Sequence, residues 1–500
     1  MALMPLAIPP GMFRAGTEYQ SRGRWYSGSL VRFFSGTIQP VGGWEDATTG
    51  TVTGRPCALL GWRPNSNAIA RYLAIGTEQK AYVYDGGTLT DITPGDLQTG
   101  LATATTTQGY GAGVYGNGNY GDPISGNGGL SPVDAWHFDT WGENLVGTFT
   151  PDGRIFEWDL NTANDFAVVS NAPTNCRGLV TSAERMLFAL GASGDRRKIA
   201  WSNQEDNTTW TATATNTAGD LLLTTDGQII TGERVRSGIL IHTTVDAHLV
   251  SYIGAPAYYG VDRIADNCGI VSANAKALAS GFVVWMGDNG FWIYDGYVKP
   301  LPCEVQDYVF SSVNRVQLSK VNAWHNGAWG EIWWHYPSEG SDENDRYVVW
   351  NYRENHWTIG AIERTAGIDR GVWDYPICTD SSGNWYDHEK GDTDDGAERT
   401  SSVFIESGPT EIAAGDNLVW LNQCVHDESD AVDLVQMTLK TKFTPEGTEY
   451  SAGPYTLDAS NGYTDIRAQG RAFKVRFEET ASGKWKLGTM RFDVVRGSRR

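Results

Sequence analysis

The stretch Gly281-Phe-Val-Val-Trp-Met-Gly287, followed by Gly290-Phe-Trp-Ile-Tyr-Asp295-Gly296, decides the fold because its pattern returns along the chain. A short apolar strand reaches a glycine, the chain turns, and an aromatic-rich strand ends in Asp or Asn. Further copies are Arg71–Gly76 with Ala81–Gly86, Asn144–Gly147 with Gly153–Asp159, and the looser Arg346–Asn351 and Gly383–Asp387. Paired short strands that recur at such intervals predict a β-propeller, in which each blade is a small antiparallel sheet.

The ends of the aromatic strands indicate the number of blades. These markers are 36 to 74 residues apart, and they fall at Asp85, Asp159, Asn203, Asp246, Asp295, Asn351 and Asp387. A four-stranded blade takes about 40–50 residues. The spacing therefore favours six blades and leaves seven possible, since one marker can belong to a loop or to a blade shared between the chain ends. The predicted propeller spans residues 51–400.

The longest interval contains an insertion, residues 100–131, that is rich in Gly, Tyr and Asn. With few apolar residues it cannot form a core of its own. Long loops in compact domains are usually functional or disordered, and tyrosine makes contacts at a low entropic cost. Tyr110, Tyr115 and Tyr120 are therefore candidate contact residues, and the alternative is a loop without function.

The two ends of the chain differ from the repeats. Residues 1–50 predict an N-terminal arm leading into the first strands, and the prolines at positions 5, 9 and 10 prevent an early helix. After a polar segment at 388–403 the repeat stops, and alternating strands continue. Residues 401–500 therefore predict a β-sandwich-like module. The chain is predicted to be all-β, and the best helical candidate is the weak run Ala273–Ala279.

Charge and composition limit the classes of function. The net charge is −20, with 20% charged and 40% hydrophobic residues, which is typical of a folded globular chain. An acidic protein of this kind has no general electrostatic affinity for DNA phosphates, although DNA can pass beside it without binding. The first residues lack the basic region of a signal peptide, and no run of 18 apolar residues occurs. We expect a chain made and folded in a cytoplasm, without a membrane segment.

Motifs for metal or cofactor chemistry are incomplete. The six cysteines are scattered and predict reduced core residues. His242, Asp246 and His248 share a face if they lie on one strand, but six strand residues span about 20 Å, too far for both imidazoles to bind one metal. Asp392–Gly396 resembles the start of a calcium loop, yet its glycine comes one position early and Val403 replaces the final Glu. We interpret it as a solvated turn.

Enzymatic motifs are also incomplete, so we predict no catalytic, cofactor-binding or metal-binding residues and no enzyme. Gly116–Gly121 matches GxGxxG but lacks the strand and helix that dinucleotide binding requires. Thr379–Trp385 is the nearest stretch to a sialidase Asp-box, with Ser381 in place of the Asp. A glycan-binding or glycan-hydrolysing propeller acting on a host surface is kept as the alternative function, although tryptophans at strand ends are more typical of blade core.

Motifs at both ends and in the middle resemble one family. The chain is similar to the tail nozzle, or packaged-DNA stabilisation, proteins of short-tailed bacteriophages. The residues that carry this resemblance are Gly11, Tyr19, Arg24-Trp25, Leu30–Phe33, Gly36 and Gly42–Trp44 at the start, Ala135–Leu145, Glu331–Pro337 and Asp345–Trp350 in the middle, and Arg467, Gly470-Arg471, Trp485–Gly488 and Arg491 at the end.

The resemblance implies a structural protein of the virion, assembled in the host cytoplasm. Its propeller subunits would form a ring, with a hexamer favoured, below the portal and adaptor proteins of the head-to-tail connector. Tail fibre or tail tip proteins would be further partners. The ring would close the channel, retain the packaged double-stranded DNA and conduct it during ejection without binding it specifically. The family supplies no catalytic residues.

Overall fold

The computed structural model describes residues 2–106, 130–412, 417–429, 434–444, 447–457 and 460–497. Within these ranges seven of the four-stranded antiparallel sheets are the blades of a propeller. The strands are, for blade 1, Pro56–Trp62, Tyr72–Thr77, Ala81–Tyr84 and Leu89–Asp91; for blade 2, Trp136–Trp141, Asn144–Phe149, Ile155–Trp158 and Ala167–Val168; for blade 3, Gly178–Thr181, Leu187–Leu190, Lys198–Trp201 and Gly219–Leu222; for blade 4, Ile229–Val235, Gly238–Thr243, Ala247–Gly254 and Tyr258–Ala265; for blade 5, Lys276–Ala279, Phe282–Met286, Phe291–Tyr294 and Val298–Leu301; for blade 6, Asn322–Asn326, Glu331–Pro337, Asn344–Asn351 and His356–Ala361; and for blade 7, Ala366–Ile368, Ile377–Thr379, Trp385–His388 and Trp44–Asp46.

The first strands of the blades surround a common axis. Neighbouring first strands lie side by side in the order of blades 5, 6, 7, 1, 2, 3 and 4. Between blades 4 and 5 the ring is closed by the Glu233–Lys276 ion pair and by His242, which packs edge-on against Trp285. The all-β propeller predicted from the repeat is confirmed.

The favoured count of six blades is corrected to seven. Each of the seven markers lies on, or next to, the third strand of one blade. The short last interval, from Asn351 to Asp387, contains the fourth strand of blade 6 and the first three strands of blade 7, which are only three or four residues long. Blade 7 takes its fourth strand from the N-terminal segment Trp44–Asp46. Asp246 differs from the other markers because it precedes the third strand of its blade.

The glycine of the repeated pattern permits close packing between blades. A Cβ atom at Gly76 would lie 2.5 Å from Cδ1 of Trp136, so the indole of blade 2 rests directly on the backbone of blade 1. Trp136 is fully buried, as are Trp158, Trp285, Trp334, Trp357 and Trp385. Strands between two blades are covered on both sides and are apolar nearly throughout, as in Glu331–Pro337, where every residue is buried.

Antiparallel order gives the propeller two different faces. The blade-to-blade connections and the turns between second and third strands lie on one face, here called the connector face. The remaining turns lie on the opposite, hairpin face. The described part of the chain contains one α-helix, Gln306–Ser312, between blades 5 and 6, and three 3₁₀ helices, Glu18–Ser21, Ala192–Gly194 and Arg315–Lys320. The weak helical candidate Ala273–Ala279 does not form a helix, since Lys276–Ala279 is the first strand of blade 5.

The two chain ends build the second part of the molecule together. Strands from residues 2–40 pair with strands from residues 404–496 in three sheets, which we call the end module. The first sheet contains Ala2–Leu6, Met490–Arg496, Val419–Val425 and Tyr463–Gly470; the second contains Trp25–Ser29, Phe404–Ser407, Ala472–Glu479, Val435–Lys442 and Tyr450–Thr456, with Thr410–Glu411 at its side; the third contains Val31–Phe34, Thr37–Pro40, Lys486–Leu487 and Glu428–Ser429. A short hairpin, Thr105–Thr106 with Leu130–Ser131, forms the base of the insertion.

A buried ion triad joins the end module to the propeller. Arg32 of the module is 2% exposed, and its Nε lies 3.0 Å from Oε1 of Glu331 in blade 6. Its Nη1 also donates to Oε2 of Glu389, just after blade 7, at 2.8 Å. Nearby, the Leu30 amide donates to the Tyr347 hydroxyl at 2.7 Å. One guanidinium thus compensates two carboxylates at the contact between the two parts.

Replacing Arg32 by Met is expected to lower the free energy of unfolding by about 3–5 kcal/mol, because two buried carboxylates lose their counter-charge. Chemical denaturation followed by tryptophan fluorescence measures this loss. Arg346→Met is the control, since Arg346 is 43% exposed and lies 3.6 Å from Asp345, and it should change stability by at most about 1 kcal/mol. Equal stability of the two variants would contradict the role of the triad.

Candidate functional site

The axis of the propeller is the first candidate site, and the chain itself crosses it at the connector face. The side-chain amide of Asn274, at the start of blade 5, donates to the carbonyl of Cys57 in blade 1 at 2.8 Å. These blades are three positions apart in a ring of seven, so the hydrogen bond spans the axis.

The base of the insertion adds to this closure. The backbone of Ala104 exchanges two hydrogen bonds with the Gln317 side chain, at 2.9 and 3.1 Å, and the Val133 amide donates to Oγ of Ser319 at 2.9 Å. Gln317 and Ser319 belong to the connection between blades 5 and 6, whereas the insertion joins blades 1 and 2. The propeller axis is therefore obstructed at this face by the polypeptide.

A buried cation fixes the same region. The Lys320 ammonium is buried and pairs with Glu343, whose carboxylate also accepts from Nε of Arg55 at 2.7 Å. Burial lowers the pKa of Lys320 despite its carboxylate partner. These contacts hold blades 1 and 6 together beside the closed end of the axis.

Below the closure lies a polar cavity of about 260 Å³ between blades 1 to 5. Its charged groups compensate each other: Nζ of Lys276 lies 2.5 Å from Glu233, and the Asp139 carboxylate accepts the amides of Thr140 and Thr181 at 2.7 Å. Burial raises the pKa of Asp139. The arrangement can hold a small polar molecule, and its carboxylates already have structural partners.

His137 is the least satisfied polar group on this cavity. The residue is only 8% exposed, and its Nε2 has no hydrogen-bond partner within the described residues. Burial, together with the charges of Lys276 and Arg177, lowers the pKa of His137 to about 3. The imidazole is therefore neutral at physiological pH.

Sequence reasoning missed this cavity. Glu233 and Lys276 are single charges in the first strands of blades 4 and 5, and neither belongs to a recognisable motif. Lys276 also lies within the run that was expected to be helical. Only the ring closure brings these residues together, so no local sequence signal identified them.

His242, Asp246 and His248 could share one face only on a single strand, and that strand does not form. A turn separates the strand Gly238–Thr243 from the strand Ala247–Gly254. His242 lies near the end of the strand Gly238–Thr243 of blade 4 and faces Ala247 across the hairpin, while His248 follows on the next strand. The buried Asp246 accepts hydrogen bonds from Thr225 at 2.8 Å and Thr243 at 2.5 Å and lies 3.1 Å from Nε2 of His248. The cluster fixes this turn.

The calcium-like segment is a turn that holds the closing strand of blade 7. Asp394 accepts from the Trp44 indole at 2.5 Å, and Asp395 accepts from the Asp46 amide at 3.1 Å. Within the described ranges, no group of three or more His, Cys, Asp or Glu side chains is placed to hold a metal ion. The cysteines are unpaired and mostly buried, and burial raises the pKa of Cys57 to about 11.

The candidate contact residues Tyr110, Tyr115 and Tyr120 lie outside the described residues, as does Gly116–Gly121. Their roles stay predictions. Among the helices that the structure describes, none is long and apolar enough to cross a membrane.

The second candidate site is the outer face of the first sheet of the end module. Trp420 and Val495 are direct cross-strand partners, and Leu3 and Tyr463 lie on the same side of the sheet. These four side chains, here called the module patch, are between 38% and 52% exposed. Grouped apolar side chains on a protein surface often mark an interaction site.

Comparisons with known proteins support no closer assignment. No family model matches the chain, and no curated protein matches it. Among solved structures, the WD40 domain of Neurospora crassa Pan2 aligns with a TM-score of 0.39 at 8% identity, covering 71% of this chain and 95% of that domain.

Acidification is expected to destabilise the protein through its buried histidines. The pKa values of His137, His242 and His335 are each lowered to about 3 by burial, against an unfolded value of about 6.5. Between these values the unfolded state binds more protons, so stability falls as pH falls below about 6.5. Each imidazole contributes up to about 1.4 kcal/mol per pH unit to the slope of the unfolding free energy against pH.

His242→Phe isolates this effect, since a phenyl ring can keep the edge contact with Trp285 and does not titrate. The slope of unfolding free energy between pH 4 and 6 should decrease by about 1.4 kcal/mol per pH unit relative to wild type. Ile241→Val, a neighbouring core change, should lower stability and keep the wild-type slope. An unchanged slope in His242→Phe would refute the assignment.

Proposed function

We propose that the protein is a structural subunit of a bacteriophage tail, in which several copies form a nozzle ring that closes the DNA channel. The ring retains the packaged genome and conducts it during ejection. A hexamer is the favoured assembly. The portal and adaptor proteins above the ring, and fibre or tip proteins beside or below it, are the proposed partners.

The module patch is the observation that carries the proposal. Leu3, Trp420, Tyr463 and Val495 are exposed apolar side chains on one side of a sheet built from both chain ends, and the polar residues Gln423, Asp465 and Asp493 lie between Trp420 and Tyr463 on that side. Exposed apolar patches of this kind are typical of protein–protein contacts. Because the module is joined to the propeller through the buried Arg32 triad, a contact made there orients the whole subunit.

The obstructed propeller axis supports a channel formed between subunits. The Asn274–Cys57 hydrogen bond and the base of the insertion cross the axis at the connector face. Duplex DNA therefore has no path through a single propeller, and a conduit requires several copies around a common centre. The net charge of −20 suits such a conduit, since acidic walls repel phosphates and do not retain the DNA that passes.

Trp420→Glu is expected to reduce or abolish ring formation, because it places a charge in the centre of the proposed subunit contact. Native mass spectrometry and light scattering of the full chain, alone and with the portal and adaptor proteins, measure the assembly. Leu222→Glu is the matched control: Leu222 is 49% exposed on the outer strand of blade 3, and its replacement should leave the ring intact.

A wild-type protein that stays monomeric with both connector proteins would overturn the proposed function. Rings that survive Trp420→Glu as well as the control would instead refute the assignment of the contact to the module patch. Circular dichroism of both variants shows whether the fold is retained.

A further inference from the structure

A cleft of about 500 Å³ opens on the connector face between blades 4 and 5. Its volume lies within the range of small-ligand sites, about 300–1,000 Å³. One wall is formed by Trp292 and Pro300, which are direct cross-strand partners in blade 5, and by Pro302 just after that blade. Trp292 is half-buried and both prolines are exposed, so the wall is apolar and accessible.

Gly269 lines the cleft, and together with Gly287 it allows close packing of the indole and the backbone. A Cβ atom at Gly287 would lie 2.9 Å from Nε1 of Trp292, and one at Gly269 would lie 2.0 Å from the Thr244 carbonyl oxygen. Larger residues at either position would displace the aromatic wall or the turn of blade 4. The close backbone approach therefore fixes the position of the ring.

The polar rim is held in place by its own contacts. Arg315 donates to Oδ1 of Asp288 at 2.9 Å and to Oδ1 of Asn289 at 3.1 Å. Gln306 donates through Nε2 to the Asn289 carbonyl at 2.8 Å. Side chains that are fixed before binding lose little entropy when a ligand arrives.

The cleft also carries hydrogen-bonding side chains. Gln306, Asn267 and Trp292 line it and bring two carboxamide groups and an indole N–H. Together they offer both donors and acceptors around an apolar wall. Arg315 compensates the charge of Asp288, so the cleft has no net positive charge with which to attract an anion.

We propose that this cleft binds a neutral sugar residue of a glycan. The apolar face of a pyranose ring fits against the Trp292 and proline wall, and its hydroxyl groups fit the amide and carboxylate groups of the rim. The strongly acidic protein disfavours anionic sugars. Sugar binding is a function beyond the proposed ring, and it does not depend on ring formation. It gives the alternative of a glycan-binding propeller a specific site.

Saturation-transfer-difference NMR of the full chain tests the proposal with methyl glycosides of glucose, galactose, N-acetylglucosamine and rhamnose. N-acetylneuraminic acid and a hexaproline peptide are the competing probes. At least one neutral sugar should bind. Trp292→Ala should weaken that binding by more than about tenfold, and Gln306→Ala should weaken it by about tenfold.

Tyr297→Ala is the control, since Tyr297 is 84% exposed on blade 5 but lies on the hairpin face, and this variant should bind as wild type does. Absence of binding to all four neutral sugars would overturn the proposal. So would binding that Trp292→Ala leaves unchanged, or binding of the anionic sugar or the peptide alone. Ring formation by Trp292→Ala is expected to be normal, which separates this test from that of the proposed function.

Discussion

The structure depends on the closure of its last blade by a strand from the other end of the chain. Trp44–Asp46 pairs with Trp385–His388, and the Trp44 ring stacks on His388 with centroids 5.5 Å apart. The Asp394 and Asp395 side chains then fix Trp44 and Asp46. Because the ring closes through a strand pair that is remote in sequence, it cannot open without separating the two ends of the chain.

Closure also determines where the second part of the molecule forms. The residues before Trp44 and those after His388 leave the propeller at the same blade, so arm and C-terminal strands meet and pair in common sheets. The Arg32 triad then connects these sheets to blade 6 and to the end of blade 7. An exposed apolar patch on one part and an obstructed axis in the other are the two features on which the proposed channel between subunits rests.

Local patterns predicted much of the propeller, and long-range geometry explains what they left open. The clearest repeats contain a glycine where an aromatic ring approaches, as at Gly76, and blade 6 has a strand that is buried on both sides, Glu331–Pro337. The marker spacing favoured six blades because one marker could belong to a loop or to a blade shared between the chain ends, whereas blade 7 is such a shared blade and is complete. The run Ala273–Ala279 suggested a helix because alanines favour one locally, whereas packing at the axis makes Lys276–Ala279 a strand.

The sites were harder to predict than the fold. Trp292 belongs to a repeat whose other tryptophans fill the blades, and nothing in its local sequence distinguishes a half-exposed wall from a core residue. Likewise Arg32 lies 299 residues from Glu331 and 357 residues from Glu389 in sequence, and only the closed ring brings them into contact.

Electron cryomicroscopy of the wild-type protein assembled on its portal and adaptor tests the central claim most directly. We expect a ring in which the propeller axes surround an empty central channel and the module patches lie between neighbouring subunits. A particle whose channel coincides with the axis of one propeller, or single subunits attached without contact to each other, would contradict it.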